Sequence, residues 1–489
     1  MALMEDAVRK LLFLTWTIIV LITLPEGVGP VWAQEQQVLE LLVQHPQTTF
    51  AIHVCQADSG RTILDYQGDK PMIPASNMKI ITTATAVDVL GTDFIYETKA
   101  GLLGNNLVVI GSGDPLIGDP VIAEEKSRDP RQIFRQIQAS LEQQKISRIA
   151  GDLLIDDFLF DDQRYHPSWS PAESNKAYAA QVSALNFYNN CVDFTLKPSG
   201  TAGRPVRYSL FPDTTYVTVT NRSETTITGT QTAWASRELD TNQITLRGWT
   251  RYEHVLTVAI ERPSAYFGHV LAEYLLAHDI RISGQLKILG VCDAQRTPPA
   301  EFEVLSTYQT PLAEVLIRSN QDSENMVAEC LFKTAGAHFR LKNGTKPVQG
   351  SWSSGKEAAG AFLGKLGVNP SQYTIDDGSG LSRKNQVSAK CLTAVLTYMH
   401  QHAGAAIFRD SLATPAAGTL RNNRRFQEPQ YQGRIFAKSG YINQVWALSG
   451  YARRSDGIWL AFSILANGGA PSPMKTIDQM VKILMEGKN

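Results

Sequence analysis

Apolar and polar positions alternate over Thr48–Cys55 and Arg61–Gln67. The turn residues Ala57-Asp58-Ser59-Gly60 lie between them, so the pattern predicts a β-hairpin. A short helical pattern, Val38–Val43, precedes it. After the hairpin, Pro74-Ala75-Ser76 opens an apolar helix running to about Leu90, with Ile80, Ile81, Ala84, Val87 and Leu90 at helical spacing. From about residue 100 to 295 the texture changes to short strand-like runs separated by turn residues. These are Leu107–Ile110, Asp152–Ile155, Val192–Leu196, Tyr216–Thr220, Ile244–Gly248 and Val255–Ile260. Helical patterns return at Leu312–Leu316, Ser323–Thr334, Lys356–Leu366 and Cys391–His400. Three strand candidates close the chain, Arg434–Ala437, Ala447–Arg453 and Ile458–Leu465, followed by a helix, Met474–Met485.

A chain that begins with a hairpin plus helix and ends with a meander plus helix is expected to join its ends in one sheet. The fold class expected is therefore α+β, one split domain with a β-rich insertion. Residues 34–98 and 299–489 form its two parts, and 99–298 form the insertion, read as two small modules.

Composition narrows the function. Of 489 residues 43% are apolar and 19% charged, enough to bury a full core. Basic and acidic residues number 46 and 47 without a basic block, which argues against a nucleic-acid partner. Residues 1–33 read as a secretory signal peptide, with an uncleaved N-terminal anchor as the other reading. Arg9 and Lys10 precede the uncharged stretch Leu11–Leu24, and Val31-Trp32-Ala33 offers a cleavage site. That stretch is short for a membrane span, which needs about 20 residues. Its removal leaves a formally neutral protein outside the cytoplasm, with no stable membrane span expected. The five cysteines are scattered and form no CxxC, so buried apolar roles are expected, with one disulfide possible.

The chain has no HExxH, GxxxxGK[ST], GxSxG or GxGxxG. What remains is a serine and lysine set. Ser76 and Lys79 stand three apart at the predicted start of a helix, so the amine can stand over the hydroxyl. A helix N-terminus also offers free N–H groups for an oxyanion. The pattern SxxK recurs at Ser353–Lys356 and Ser472–Lys475, and alone it means little. Ser323-Glu324-Asn325 is the one S-x-N and Lys438-Ser439-Gly440 the one K-[ST]-G in the chain. The expected contexts are a helix start for Ser76, a helix start for Ser323 and an inner strand for Lys438. The order Ser76–Lys79, Ser323–Asn325, Lys438–Gly440 is that of the penicillin-recognising serine hydrolases, and the other two SxxK matches fall out of order.

On these motifs the chain resembles the D-alanyl-D-alanine carboxypeptidase/endopeptidase family of class C low-molecular-mass penicillin-binding proteins. The 247 residues between Ser76 and Ser323 fit the large insertion of that family. Gly113-Asp114-Pro115, Ser183-Ala184-Leu185-Asn186, Asp377-Gly378-Ser379-Gly380-Leu381-Ser382-Arg383 and Leu448-Ser449-Gly450-Tyr451 are similar too. The resemblance implies a β-lactamase/transpeptidase-like split domain and cleavage of D-Ala-D-Ala bonds in peptidoglycan stem peptides, with β-lactams as covalent inhibitors and no metal or organic cofactor. It implies Ser76 as nucleophile, Lys79 as base and Ser323 as proton relay. Asn325, Lys438, Ser439 and Gly440 would hold the substrate. The N–H groups of Ser76 and Tyr441 would hold the oxyanion. The departures are Ser439 where Thr is usual, Tyr441 where a Thr or Ser is common, and Glu324 where Asp is usual. The Asp377–Gly380 run is read first as a glycine-dependent turn, with a contact at the substrate rim as the other reading. A β-lactamase or esterase of the same fold and an inactive wall-binding protein are the rival functions.

Overall fold

The structure is a computed structural model that describes residues 30–486. The signal-peptide reading rests mainly on residues 1–29, which lie outside the described residues. The chain starts with α1 (Pro30–Leu42), the hairpin β1 (Thr48–Gln56) and β2 (Thr62–Tyr66), and α2 (Met78–Leu90). Then come β3 (Ile95–Leu103), β4 (Asn106–Ile110), α3 (Gln132–Gln143), β5 (Leu153–Asp156), β6 (Cys191–Lys197), α4 (Pro263–Ala277), β7 (Leu286–Ile288) and β8 (Glu303–Pro311). The last third holds α5 (Leu312–Asn320), α6 (Asn325–Lys342), α7 (Trp352–Lys365), α8 (Ala389–Gln401), α9 (Gly418–Asn422), β9 (Ile435–Ile442), β10 (Val445–Arg453), β11 (Trp459–Gly468) and α10 (Met474–Glu486).

The two ends of the chain share one antiparallel sheet of order β2-β1-β11-β10-β9. β1 pairs with β11 from Thr48 opposite Gly468 to Gln56 opposite Leu460. Side chains alternate across a strand, and here both faces are covered. Ala51, Cys55, Ala447, Tyr451, Ala461 and Leu465 face a core shared with α2 and α8. Phe50, Ile52, Val54, Leu448, Phe462 and Ile464 face α1 and α10 through Val38, Ile477, Met480 and Leu484. Helix α2 is buried over almost its whole length, Lys79 and its threonines included, so it runs through the centre of this half.

β3 and β8 pair antiparallel from Ile95 opposite Pro311 outward, carrying the chain away from α2 and back to α5. With β4, β5 and β7 they make a second five-stranded sheet. β6 pairs with His254–Ala259, and Trp234–Arg237, Gln243–Arg247 and Thr218–Asn221 form a small further sheet. Two long helices and the short helix Pro120–Glu125 stand among these strands. Phe134 and Ile137 of α3 and Phe267 and Leu271 of α4 supply much of the core there, so this part is more helical than its strand-like texture predicts.

Gly113-Asp114-Pro115 and Ser183–Asn186, two segments of the family pattern, bind each other. The Gly113 N–H donates to the Ala184 carbonyl at 2.8 Å, and Asn186 Nδ2 donates to the Asp114 carbonyl at 3.0 Å. Burial pushes the Asp114 carboxyl up to about 7, and the Thr310 hydroxyl and the Leu116 N–H both donate to it. All five cysteines are free, and Cys55, Cys191, Cys330 and Cys391 are buried. No helix among the described residues is long and apolar enough to cross a membrane.

Arg318 on α5 and Asp119, both buried, meet at 2.8 Å, and Arg318 also reaches Asp322 at 2.8 Å. Asp119 in turn caps the helix Pro120–Glu125 through the N–H groups of Val121 and Ile122. Removing the guanidinium strands a buried carboxylate. Arg318→Ala is therefore expected to cost about 3–5 kcal/mol in urea unfolding, whereas exposed charge deletions cost well under 1 kcal/mol.

Candidate active site

Ser76 lies in the short 3-10 turn Ala75–Asn77 that leads into α2. Ala75, just before it, has φ 45°, a left-handed conformation that a small side chain tolerates best. The turn is clamped from two sides. Gly380, with φ +84°, lies so close that a Cβ there would sit 1.9 Å from the Ala75 carbonyl oxygen, so only glycine fits. Asn77, with its amide oriented to satisfy its neighbours, donates to the Lys438 carbonyl at 2.8 Å and accepts from the Ser449 hydroxyl and N–H at 2.6 and 3.1 Å. The start of α2 is thereby tied to β9 and β10.

One helical turn on, Lys79 is fully buried. Its Nζ lies 3.1 Å from Ser76 Oγ, 2.7 Å from Asn325 Oδ1 and 2.8 Å from the Ser379 carbonyl oxygen. The two shorter contacts are to pure acceptors, and the longest is to a hydroxyl that can donate or accept. A neutral amine keeps two N–H donors and one lone pair. Deprotonated Lys79 can thus hold Asn325 and Ser379 and turn its lone pair to the Ser76 O–H, reversing one hydrogen bond and breaking none. Burial lowers its pKa to about 8, against the opposing fields of Glu329, Asp377 and Glu324.

Helix α6 starts at Asn325 with Glu324 as its N-cap, so Ser323 does not open the helix as its sequence context predicts. It stands before the helix with φ 64°, held out of helical conformation as the chain turns into α6. Asn325 accepts from Lys79 and donates Nδ2–H to the Tyr178 carbonyl at 2.8 Å. Four and eight residues on, Glu329 and Lys333 share the same buried helix face. Glu329 accepts from the N–H groups of Gly378 and Ser379 at 2.9 and 2.7 Å and from Trp352 Nε1 at 2.8 Å. Burial and the nearby Asp377 push its carboxyl up to about 7. Asp377 accepts from Trp169 Nε1, the N–H groups of Gly380 and Ser382, and Asn385 Nδ2. The Asp377–Gly380 run is therefore a turn pinned by two carboxylates, and its Ser379 carbonyl is delivered onto Lys79.

Lys438 lies within β9, not at its end, and β9 is an edge strand of the sheet, not an inner one. The Ala437 N–H turns away from β10 and donates to the Ala413 carbonyl at 2.8 Å. Two-residue alternation carries the N–H groups of Ser439 and Tyr441 to that same outer edge. An inner strand would have spent them on a neighbour; an edge keeps them for a ligand. Lys438 is buried on the α2 side of the sheet. Burial first, and the charge of Lys79 second, hold its ammonium well below the usual lysine range, and its Nζ donates to the Ser439 carbonyl at 2.9 Å. The Ser439 hydroxyl, on the opposite pleat, donates to Thr419 Oγ1 at 2.8 Å. Gly440 lets β9 approach the turn before Ser76, since a Cβ there would come within 2.9 Å of the Pro74 carbonyl. Tyr441 is two-thirds exposed and leans on Trp446.

Ser76, Ser323, Asn325, Gly380, Leu381, Arg383 and Tyr441 line a single open cleft of about 550 Å³. Glu173 and Tyr178, from turns in the middle of the chain, form part of its wall. Ser76, Ser323, Asn325 and Tyr441 thus converge on one cleft, with Lys79 and Lys438 buried beneath it, whereas Ser439 and Gly440 line a neighbouring hollow with Trp446 and Ile477. Sequence reading missed Asn77, Tyr178, Glu329 and Thr419. Only Glu329 left a signal, an acid four residues after Asn325 amid the apolar first turns of the helix. Of the stray SxxK matches, Lys356 pairs instead with Asp376 at 3.4 Å.

A sequence profile described as the D-Ala-D-Ala carboxypeptidase 3 (S13) family matches residues 34–486. The chain belongs to this S13 family. One relative, the D-alanyl-D-alanine carboxypeptidase of Actinomadura sp. (strain R39), is 29% identical over 462 residues, covering 88% of this chain and 80% of that one. The crystal structure of penicillin binding protein 4 from Haemophilus influenzae superimposes with a TM-score of 0.75 at 21% identity, over 91% of this chain and 98% of that one. The same Haemophilus protein complexed with a β-lactam gives a TM-score of 0.70, also at 21% identity, over 92% and 98%. The shared fold is that of the S13 family, with helices packed on antiparallel and mixed sheets.

A base with a pKa of about 8 gains its neutral form as pH rises through that value. Acylation of Ser76 by an activated acyl reagent is expected to increase with pH to a plateau, with a midpoint near 8. Glu329→Gln, which removes a field favouring the ammonium, should move that midpoint down. A midpoint at the ordinary lysine value of 10.5 in a pH–rate profile would overturn the lowered pKa of Lys79.

Proposed function

We propose that this chain is a serine D,D-peptidase of the cell wall. It works in the periplasm or otherwise outside the cytoplasm after signal cleavage, removing terminal D-Ala or cutting D-Ala cross-links in peptidoglycan stem peptides. The observation that carries the reading is the Lys79 amine, buried and shared between Ser76 and Asn325 at the floor of an open cleft.

In this mechanism neutral Lys79 takes the Ser76 proton as Oγ attacks the scissile carbonyl, and the new oxyanion sits between the N–H groups of Ser76 and Tyr441. The Ser323 hydroxyl passes a proton to the departing D-Ala amine. Asn325 holds the substrate amide. Lys438, with the Ser439 hydroxyl, draws the terminal carboxylate onto the edge of β9, where Gly440 lets it come close. Water then hydrolyses the acyl-enzyme, with Lys79 again as base. Tyr178 and Glu173, contributed by the inserted residues 99–298, complete the cleft that receives the stem. The chemistry calls for no metal or organic cofactor. A β-lactam bound to the Haemophilus protein of the same fold supports the companion expectation that penicillin enters this cleft.

Ser76→Ala should fold normally and lose D-Ala-D-Ala cleavage by about 10⁴-fold, as for other removed nucleophiles. In the wild type, intact-mass spectrometry should find one penicillin added per chain, on the peptide holding Ser76, lasting minutes or longer. The ring-opened amine stays tethered and blocks the path of water, whereas a departing D-Ala clears it. An adduct gone within seconds, with steady penicillin consumption, would make the protein a β-lactamase and end the peptidase reading.

A further inference from the structure

The Ser439 hydroxyl, assigned above to the substrate carboxylate, is not free: it is spent on Thr419. Thr419 belongs to no motif, and its placement is over-determined. Its N–H donates to the Gln321 carbonyl at 2.9 Å, two residues before Ser323. Gly418, with φ +64°, packs so tightly there that a Cβ would lie 2.5 Å from the same carbonyl oxygen. The Ala413 carbonyl takes the Ala437 N–H, so the segment Ala413–Thr419 runs along the outer edge of β9 and leaves it at Ser439. Thr419 thus touches both the segment that leads to Ser323 and the strand that carries Ser439.

We infer that Thr419 is a positioning residue for carboxylate recognition, orienting the Ser439 hydroxyl toward the C-terminal carboxylate of the substrate. This rests on the peptidase reading and deepens it. Two hydroxyls 2.8 Å apart share one hydrogen bond and keep one O–H proton in reserve. Without ligand, Ser439 donates to Thr419. When a carboxylate arrives, the bond reverses: Thr419 donates to Ser439 Oγ, and the Ser439 proton turns to the anion. No proton leaves either oxygen. The relay Thr419–Ser439–carboxylate is a chain in which each bond polarises the next. It also answers the departure at position 441, where a second hydroxyl is common. Tyr441 carries its phenol out into solvent, so Ser439 must serve the carboxylate without that help, and the Thr419 hydroxyl behind it supplies the missing polarity.

The test compares N,N′-diacetyl-L-lysyl-D-alanyl-D-alanine with its C-terminal amide. The readout is the ratio of the two kcat/KM values, which a general loss of packing would not change. The wild type should prefer the acid. Thr419→Val should lower that preference about tenfold or more, the size expected when a hydrogen bond to a charged group is lost, mainly through KM of the acid. Thr419→Ser should restore it. Ser439→Ala should show the same loss, and Ser439→Ala/Thr419→Val no further loss, because the two act through one bond. An unchanged ratio in Thr419→Val, or losses that multiply in the double variant, would overturn the inference and leave the peptidase reading standing. A wild type indifferent between acid and amide would overturn both.

Discussion

The site is built around an amine that has been taken out of water. A lysine at the surface stays protonated at physiological pH and cannot serve as a base. Lys79 is placed where the charged form loses its hydration, and that one desolvation moves its pKa from 10.5 to about 8. The burial needs compensation, because an amine without acceptors in an apolar helix bundle would unfold the region. Ser76, Asn325 and Ser379 supply three. Each comes from a different element, so the second motif and the Asp377–Gly380 turn are held to α2 by the group they serve.

The polar face of α6 sets how far that shift can go. Asn325, Glu329 and Lys333 descend through the core at intervals of one turn. Lys333 finds Asp161 at 2.6 Å and the Gln163 carbonyl at 2.7 Å, and its Nζ lies 3.9 Å from the centre of the Trp352 ring. Glu329 fixes the loop that presents Ser379. Its negative charge also pulls the Lys79 pKa upward, opposing burial. The Lys79 pKa is therefore a balance between desolvation and a nearby acid, and it ends within reach of neutral pH. The second lysine has no such acid at hand apart from Asp322, and burial together with Lys79 holds it well down. A substrate carboxylate would supply the missing countercharge.

β9 imposes the other constraint. Its outer edge is covered by the segment from Ala413 to Thr419 and is open beyond it. A peptide laid antiparallel on that edge meets the N–H groups of Ser439 and Tyr441 in an order set by the strand, not by flexible side chains. The turn holding Ser76 is locked to the same strand through Asn77, so Ser76 and that edge are one rigid unit.

Much of this was legible without coordinates. Local pattern determined the hairpin of β1 and β2, the apolar helix after Ser76 and the terminal meander, because amphipathic period and turn residues are short-range signals. Motif order singled out one SxxK, and with it Ser76, Lys79, Asn325 and Lys438, which the fold brings close together. Other features depended on contacts between residues tens to hundreds of positions apart, which no local pattern encodes. Glu329 and Asp377 pin a turn that reads as a plain glycine bend. Ser323 was expected on a helix, and the entry into α6 holds it left-handed just outside. Lys438 was expected on an inner strand, yet strand order is a property of the whole sheet, and pairing leaves β9 at its edge. Thr419 carries no signal at all. It matters because folding brings Gln321 and Ser439 to either side of it.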